Sequence, residues 1–220
     1  MVDAALATLR GADVVAVLTR APSAGGKSRL FAELGRTTDP TLLEALLLDT
    51  IDRVRESGAV GVLCVEPASA AEELRALVPD MPLVAQSLGH LGDRMRSCME
   101  LLFQAGARRV AVIGSDLPAL TAAAIDGAFG ELDREPAGLV LGPAADGGYF
   151  LVAAASVPPV FSDIDWSTPR VLAQTRAAAS AAGWRTHLIE AIEDVDTAAS
   201  LRRAGTRGGR TQAWILAHLR

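Results

Sequence analysis

The stretch Val110-Ala111-Val112-Ile113-Gly114-Ser115-Asp116-Leu117-Pro118 constrains this chain more than any other. Val110 to Ile113 is an apolar run with no polar alternation. Such a run suits a strand covered on both faces, the usual state in a parallel sheet. Gly114 lets the backbone turn or approach a ligand closely, and Pro118 stops the strand. Ser115 and Asp116 therefore fall at the strand's carboxyl end, where open α/β sheets bind ligands. A carboxylate at that edge is a natural ligand for a hard divalent cation carrying a nucleotide phosphate. The same Asp could instead cap the next helix.

The pattern along the chain supports such a sheet. Strands are expected at 13–19, 60–65, 82–86, 108–113, 138–141, 149–153 and 185–189. Helices are expected from Asp39-Pro40 to about Ser57, over 70–77, from the glycine-punctuated stretch 89–95 to about Ala105, over 121–132, from Ser167 to about Ala182, and over 212–219. Asp39 before Pro40 is a capping residue before a first-turn proline. Strands alternating with helices predict a mostly parallel α/β sheet with helices on both faces. No linker or low-complexity tract divides the 220 residues, so one domain is expected over 1–220. Its core would span 13–203, with the helix at 210–220 appended after a flexible Gly-rich hinge, Gly205–Arg210.

Composition removes several classes. The net charge of −5 leaves no basic footprint for nucleic acid. The apolar runs are too short to span a membrane, and no signal sequence opens the chain. Cys64 and Cys98 have no metal-ligand spacing and read as free buried thiols, in keeping with a cytoplasmic protein. His90, His187 and His218 show no metal spacing either. There is no Gly-x-Ser-x-Gly nucleophile elbow and no Gly-x-Gly-x-x-Gly after the first strand.

Three loops after strands carry glycine and charge together. The first, Arg20 to Arg29, contains Gly25, Gly26, Lys27 and Ser28. It satisfies a loose P-loop pattern, but Pro22 removes a backbone donor that a P-loop would use. A simpler reading needs only Lys27 and Arg29 as cations beside a phosphate or a substrate anion. The second, Gly89 to Met95, includes Gly92, Asp93 and Arg94. In the third, Asp146-Gly147-Gly148-Tyr149 is either a plain hairpin turn or a site offering a carboxylate and a phenol. Asp194 and Asp196 alternate by two, which puts both carboxylates on one face of an extended segment. One of them could complete a cation site begun by Asp116, and Asp196 could also cap a helix starting near Thr197.

Taken together, these segments resemble one family. Pro22 with Gly26-Lys27-Ser28-Arg29-Leu30, Leu91 to Met95, Gly114 to Leu120, Leu141 to Tyr149, Asp165-Trp166-Ser167-Thr168 and Asp194-Val195-Asp196-Thr197 are similar to the DUF2064 family. These are bacterial proteins assigned as glycosyltransferases of the GT-A, or nucleotide-diphospho-sugar transferase, fold. Related nucleotidyltransferases guanylylate phospholactate or phosphoenolpyruvate for deazaflavin cofactors; the molybdenum-cofactor guanylyltransferases are more remote. The resemblance implies a Rossmann-like three-layer α/β/α sandwich with a mostly parallel mixed sheet. It implies a nucleotide or nucleotide-sugar donor, a small-molecule acceptor, and Mg²⁺ or Mn²⁺. Asp116 and Asp196 would hold the metal. Gly26, Lys27, Arg29, Gly92, Asp93, Arg94 and Ser115 would contact the nucleotide. Gly147, Gly148 and Tyr149 would face the acceptor, with Asp116 and Asp146 catalytic. Glycosyl transfer is the leading expectation and nucleotidyl transfer to a phosphorylated small molecule the alternative, ahead of a P-loop NTPase or a non-catalytic nucleotide-binding protein.

Overall fold

The structure is a computed structural model and describes residues 4–135, 137–205 and 208–219. Seven strands form one sheet: β1 (Asp13–Arg20), β2 (Val60–Glu66), β3 (Leu83–Ala85), β4 (Arg109–Ile113), β5 (Gly138–Pro143), β6 (Tyr149–Ala154) and β7 (Arg185–Leu188). Their spatial order is β3-β2-β1-β4-β6-β5-β7. β1 runs parallel to β2 and β4, β2 to β3, and β5 to β7. Only β6 is reversed, pairing antiparallel with both β4 and β5. The reversal has a local cause. Gly147 has φ +90, and Ala144 N–H donates to Gly148 O at 3.0 Å, so the chain turns back at once after β5. The amino end of β6, Tyr149, thus shares an edge with the carboxyl ends of the other strands.

Side chains alternate across the sheet with the period of two that strands impose. Val15, Val17, Ala111, Ile113 and Leu151 face one helical layer, made of α2 (Pro40–Glu56), α3 (Ala71–Leu77) and α5 (Ala122–Arg134). Val14, Ala16, Val110, Val112 and Val152 face the other, made of α4 (Leu91–Gln104) and α6 (Val171–Ala181). This is the expected three-layer sandwich. Cys64 and Cys98 are both buried free thiols, on β2 and α4, with sulfurs 2.7 Å apart. No helix among the described residues is long and apolar enough to cross a membrane.

A third cluster gathers the short helix α1 (Ser28–Glu33), α2, α7 (Ala198–Ala204) and α8 (Gly209–His218) around Phe31, Leu46, Leu201 and Trp214. The stretch expected to hinge before α8 is held in place where it is described. Asp49, buried in α2, accepts from Arg210 N–H at 2.9 Å and Thr211 N–H at 2.8 Å, so it caps α8 from another element. Thr206 and Arg207 of the expected hinge, and Arg220 of the expected helix, lie outside the described residues.

Two helix starts differ from expectation. α6 begins at Val171 instead of Ser167, because Ser167 sits at φ +63, a conformation that cannot enter a right-handed helix. The stretch 89–95 is helical from Leu91, where Asp93 accepts from His90 N–H at 3.2 Å and closes the first turn.

Asp49→Ala leaves two donors of α8 without their acceptor, one of them the buried Thr211 N–H. It is expected to lower stability by about 1–3 kcal/mol and to speed hydrogen exchange at Arg210 and Thr211. Thermal unfolding and exchange NMR check both.

Candidate active site

The chain passes from β1 to β2 and β3 on one side, then crosses to β4 on the other. The crevice outside the carboxyl ends of β1 and β4 is therefore the topological switch point of the sheet, the usual ligand position in such folds. Gly114, Ser115 and Asp116 follow β4 directly into it. After β7 the chain runs across the same edge. Ile192 N–H donates to Pro143 O at 3.1 Å, and Val195 N–H donates to Asp116 O at 3.2 Å. The second bond draws Asp194 and Asp196 up to the end of β4.

The carboxylates of Asp116, Asp194 and Asp196 each bring an oxygen within 4.8 Å of the others. Hard cations hold oxygen ligands at about 2.0–2.6 Å, so opposed ligands span about 4–5 Å and the cluster matches that size. Lys27 Nζ donates to both Asp116 and Asp196. Its side chain is 18% exposed and that of Asp116 20%, so these ion pairs lie largely out of water, whereas Asp196 is 48% exposed. Burial alone would lower the Lys27 pKa, but Asp116 and Asp196 outweigh it and hold the ammonium charged. Among the described residues Asp194 makes no such ion pair. Burial, then the Asp116 and Asp196 charges, push its carboxyl up to about 7, against Lys27; Asp146 adds to the upward push.

Lys27 reaches the cluster because its backbone is left-handed, at φ +52, after Gly25 and Gly26 at φ +69 and φ +139. It immediately precedes α1, a helix of only 6 residues, and Pro22–Ala24 form a 3₁₀ turn. The loop is therefore a lysine arm aimed at carboxylates rather than a P-loop cradle. The neighbouring Arg29 does not join it: this side chain is 77% exposed and pairs with Glu33 on the same helix.

The crevice has two halves that share Leu18, Gly114 and Asp116. The first, about 260 Å³, is lined by Arg20, Gly25, Gly26, Lys27 and Ser115. The second, about 150 Å³, is lined by Leu91 and Met95 of α4, the end of β4, Tyr149 and Phe150 of β6, and Asp194.

Several of the remaining expected residues also hold local structure. Asp93 closes the first turn of α4 and pairs with Arg96. Arg94 pairs with Glu66 at the end of β2 and donates to Gly89 O. A Cβ on Gly92 would meet Phe161 O and the Trp166 ring at 2.6 Å, so only glycine lets α4 pack there. A Cβ on Gly147 would run into the Pro169 backbone. Gly148 N–H donates to Asp146 Oδ1 at 2.8 Å, which shapes the turn and leaves Asp146 exposed. The Tyr149 ring lines the crevice, but its hydroxyl is buried and turned toward the buried Thr175 hydroxyl. Thr197, not Asp196, caps α7, accepting from Ser200 N–H at 3.0 Å, which frees Asp196 for the cluster.

A nearly parallel seven-stranded sheet with one reversed strand places the chain in the nucleotide-diphospho-sugar transferase fold. A protein from Desulfovibrio desulfuricans assigned as a nucleotide-diphospho-sugar transferase superimposes with a TM-score of 0.83 and 25% identity, over 94% of this chain and 95% of that one. Residues 50–168 match the DUF2064 family, described as uncharacterised proteins conserved in bacteria, and the chain belongs to that family. CMP:2-keto-3-deoxy-manno-octonic acid synthetase complexed with CTP shares the fold at TM-score 0.59 and 16% identity, over 95% of this chain and 100% of that one. Rv0371c from Mycobacterium tuberculosis, in complex with manganese, does so at 0.50 and 18%, over 89% and 98%. No curated protein matches the chain in sequence.

Gly92→Ala is expected to push the first turn of α4 away from Trp166 and to destabilise the protein by about 1–3 kcal/mol, the usual cost of overpacking. Thermal unfolding measures the loss, and tryptophan fluorescence reports the displaced ring.

Proposed function

We propose that this chain is a metal-assisted transferase acting on a nucleotide-activated substrate, with glycosyl transfer from a nucleoside-diphosphate sugar as its reaction. The observation that carries this reading is the convergence of Asp116, Asp194 and Asp196 beside Lys27 at the switch point of the sheet. The similarity to the Desulfovibrio protein supports it. Asp116, Asp196 and Asp194 would hold Mg²⁺ or Mn²⁺, whose chemistry there is to neutralise charge on a departing diphosphate. Lys27 would contact phosphate oxygens, with Gly26 and Ser115 offering backbone and hydroxyl donors in the same half of the crevice.

In this reading the acceptor oxygen bonds to the anomeric carbon as the bond from that carbon to the diphosphate breaks. The diphosphate leaves with the electron pair. Asp146, exposed at the β5–β6 turn, receives the acceptor's proton. The second reading is nucleotidyl transfer, favoured by the fold shared with the CTP-bound synthetase. The products separate the two: a nucleoside diphosphate from a sugar nucleotide supports the first, and pyrophosphate from a nucleoside triphosphate supports the second.

Asp116→Asn is expected to abolish Mn²⁺-supported nucleotide binding and to lower turnover by about 10²–10³-fold, as removal of a key electrostatic group does elsewhere. Calorimetric titration and a product assay read the two effects, and wild-type turnover in this variant would rule out the metal role. Lys27 competes with a metal for the same carboxylates. Lys27→Met should therefore bind Mn²⁺ more tightly than wild type without nucleotide, yet bind nucleotide more weakly. Electron paramagnetic resonance titration of free Mn²⁺ tests the first part, and unchanged Mn²⁺ affinity would refute the competition.

A further inference from the structure

The two halves of the crevice differ in chemistry, and the difference specifies the acceptor. The half that holds Lys27 has two leucines, Leu43 and Leu46, but adds to them two cations, Lys27 and Arg20, and the Ser115 hydroxyl. The other half presents Leu91, Met95, Phe150 and the Tyr149 ring, and its polar side chains, apart from the closed-off tyrosine hydroxyl, are the carboxylates of Asp116 and Asp194. We propose that this second half receives the apolar body of the acceptor, and that the acceptor is an alcohol on a compact aromatic or branched-aliphatic frame, not a sugar. This deepens the transferase reading above and rests on it.

Three observations carry the inference. A sugar ring buries several hydroxyls, each of which needs a partner when it leaves water. Beyond the two carboxylates assigned to the metal, this wall offers no side-chain partner, because the Tyr149 hydroxyl is shut away from solvent. A nucleobase would likewise need polar partners along its edge. Second, the volume of about 150 Å³ is that of a cavity known to take a benzene-sized guest. Third, Leu91, which lines this half, is 45% exposed. A leucine left in water in a cleft gains by being covered when an apolar ligand enters. The carboxylates of Asp116 and Asp194 line the same half, so a hydroxyl on the ligand would sit toward the metal cluster and its apolar body toward α4.

The test uses binding, not turnover. The full chain is labelled with ¹³C at its methionine methyls and titrated with benzyl alcohol, with methyl glucoside and with a free nucleoside. A saturable shift of the Met95 methyl with benzyl alcohol, and none with methyl glucoside, is the expected result. Leu91→Ser, at a partly exposed position that tolerates the change, should weaken benzyl alcohol binding about tenfold, the effect of losing one apolar contact face. Titration of the same variant with a nucleoside diphosphate reports whether it is folded. A Met95 response to methyl glucoside as strong as to benzyl alcohol would overturn the proposal. So would displacement of benzyl alcohol by the nucleoside, or unchanged affinity in Leu91→Ser. Failure of the transferase reading looks different: neither Mn²⁺ nor any nucleotide binds, whatever Met95 does.

Discussion

Three carboxylates within 4.8 Å of one another repel, and this fold has to hold them there. Two unit charges 4 Å apart interact by about 4 kcal/mol at the dielectric typical of a protein surface, so such a cluster needs a frame and a counter-charge. The frame is backbone. Asp116 is fixed by the end of β4 and by Val195 N–H on its carbonyl, while Leu117 N–H donates to the buried Thr50 hydroxyl of α2 at 3.0 Å. Asp196 is steadied through its own N–H, which donates to Ser200 Oγ at 3.1 Å, and Ala198 N–H donates to Glu33 of α1 at 2.8 Å. The counter-charge is Lys27. The reversed strand β6 and the strap after β7 matter because they bring the third carboxylate and the Tyr149 wall to one edge.

Much of this was legible in the sequence where one local rule decided the outcome. The apolar run at 110–113 read as a strand covered on both faces and 13–19 as a strand, and they became β4 and β1. Asp39-Pro40 read as a helix start, and Asp39 Oδ1 accepts from Thr41 N–H at 3.0 Å. The alternation of Asp194 and Asp196 read as two carboxylates on one face, and both reach the cluster. What escaped was settled by distant partners. Arg29 lies two residues from Lys27, and nothing local distinguishes them; the left-handed turn at Lys27 aims one inward, while the helix turns the other to solvent. The joint use of Asp194 and Asp196 with Asp116 depends on a backbone bond between residues 79 positions apart. Asp49 looks like any polar residue on a helix, and its role as the cap of α8 comes from a segment 161 residues later. Gly92 resembles a loop glycine, but Trp166 sets its constraint.

The conformation of Lys27 argues for more than packing. A non-glycine residue in the left-handed region costs about 1–3 kcal/mol and persists only where its surroundings over-determine it. Here two ion pairs do so, yet they satisfy only part of the charge. With all three aspartates ionised, one ammonium leaves the cluster about two charges negative, and burial together with that charge pushes the Asp194 carboxyl up to about 7. A bare diphosphate approaching that edge would meet net repulsion. A divalent cation matches the deficit, and its arrival would weaken the hold of the carboxylates on Lys27, leaving the ammonium free to turn toward phosphate oxygens in the half of the crevice it already lines. On the proposed reading, therefore, the donor has to enter with its metal or after it, and the order follows from the charge count rather than from any moving lid.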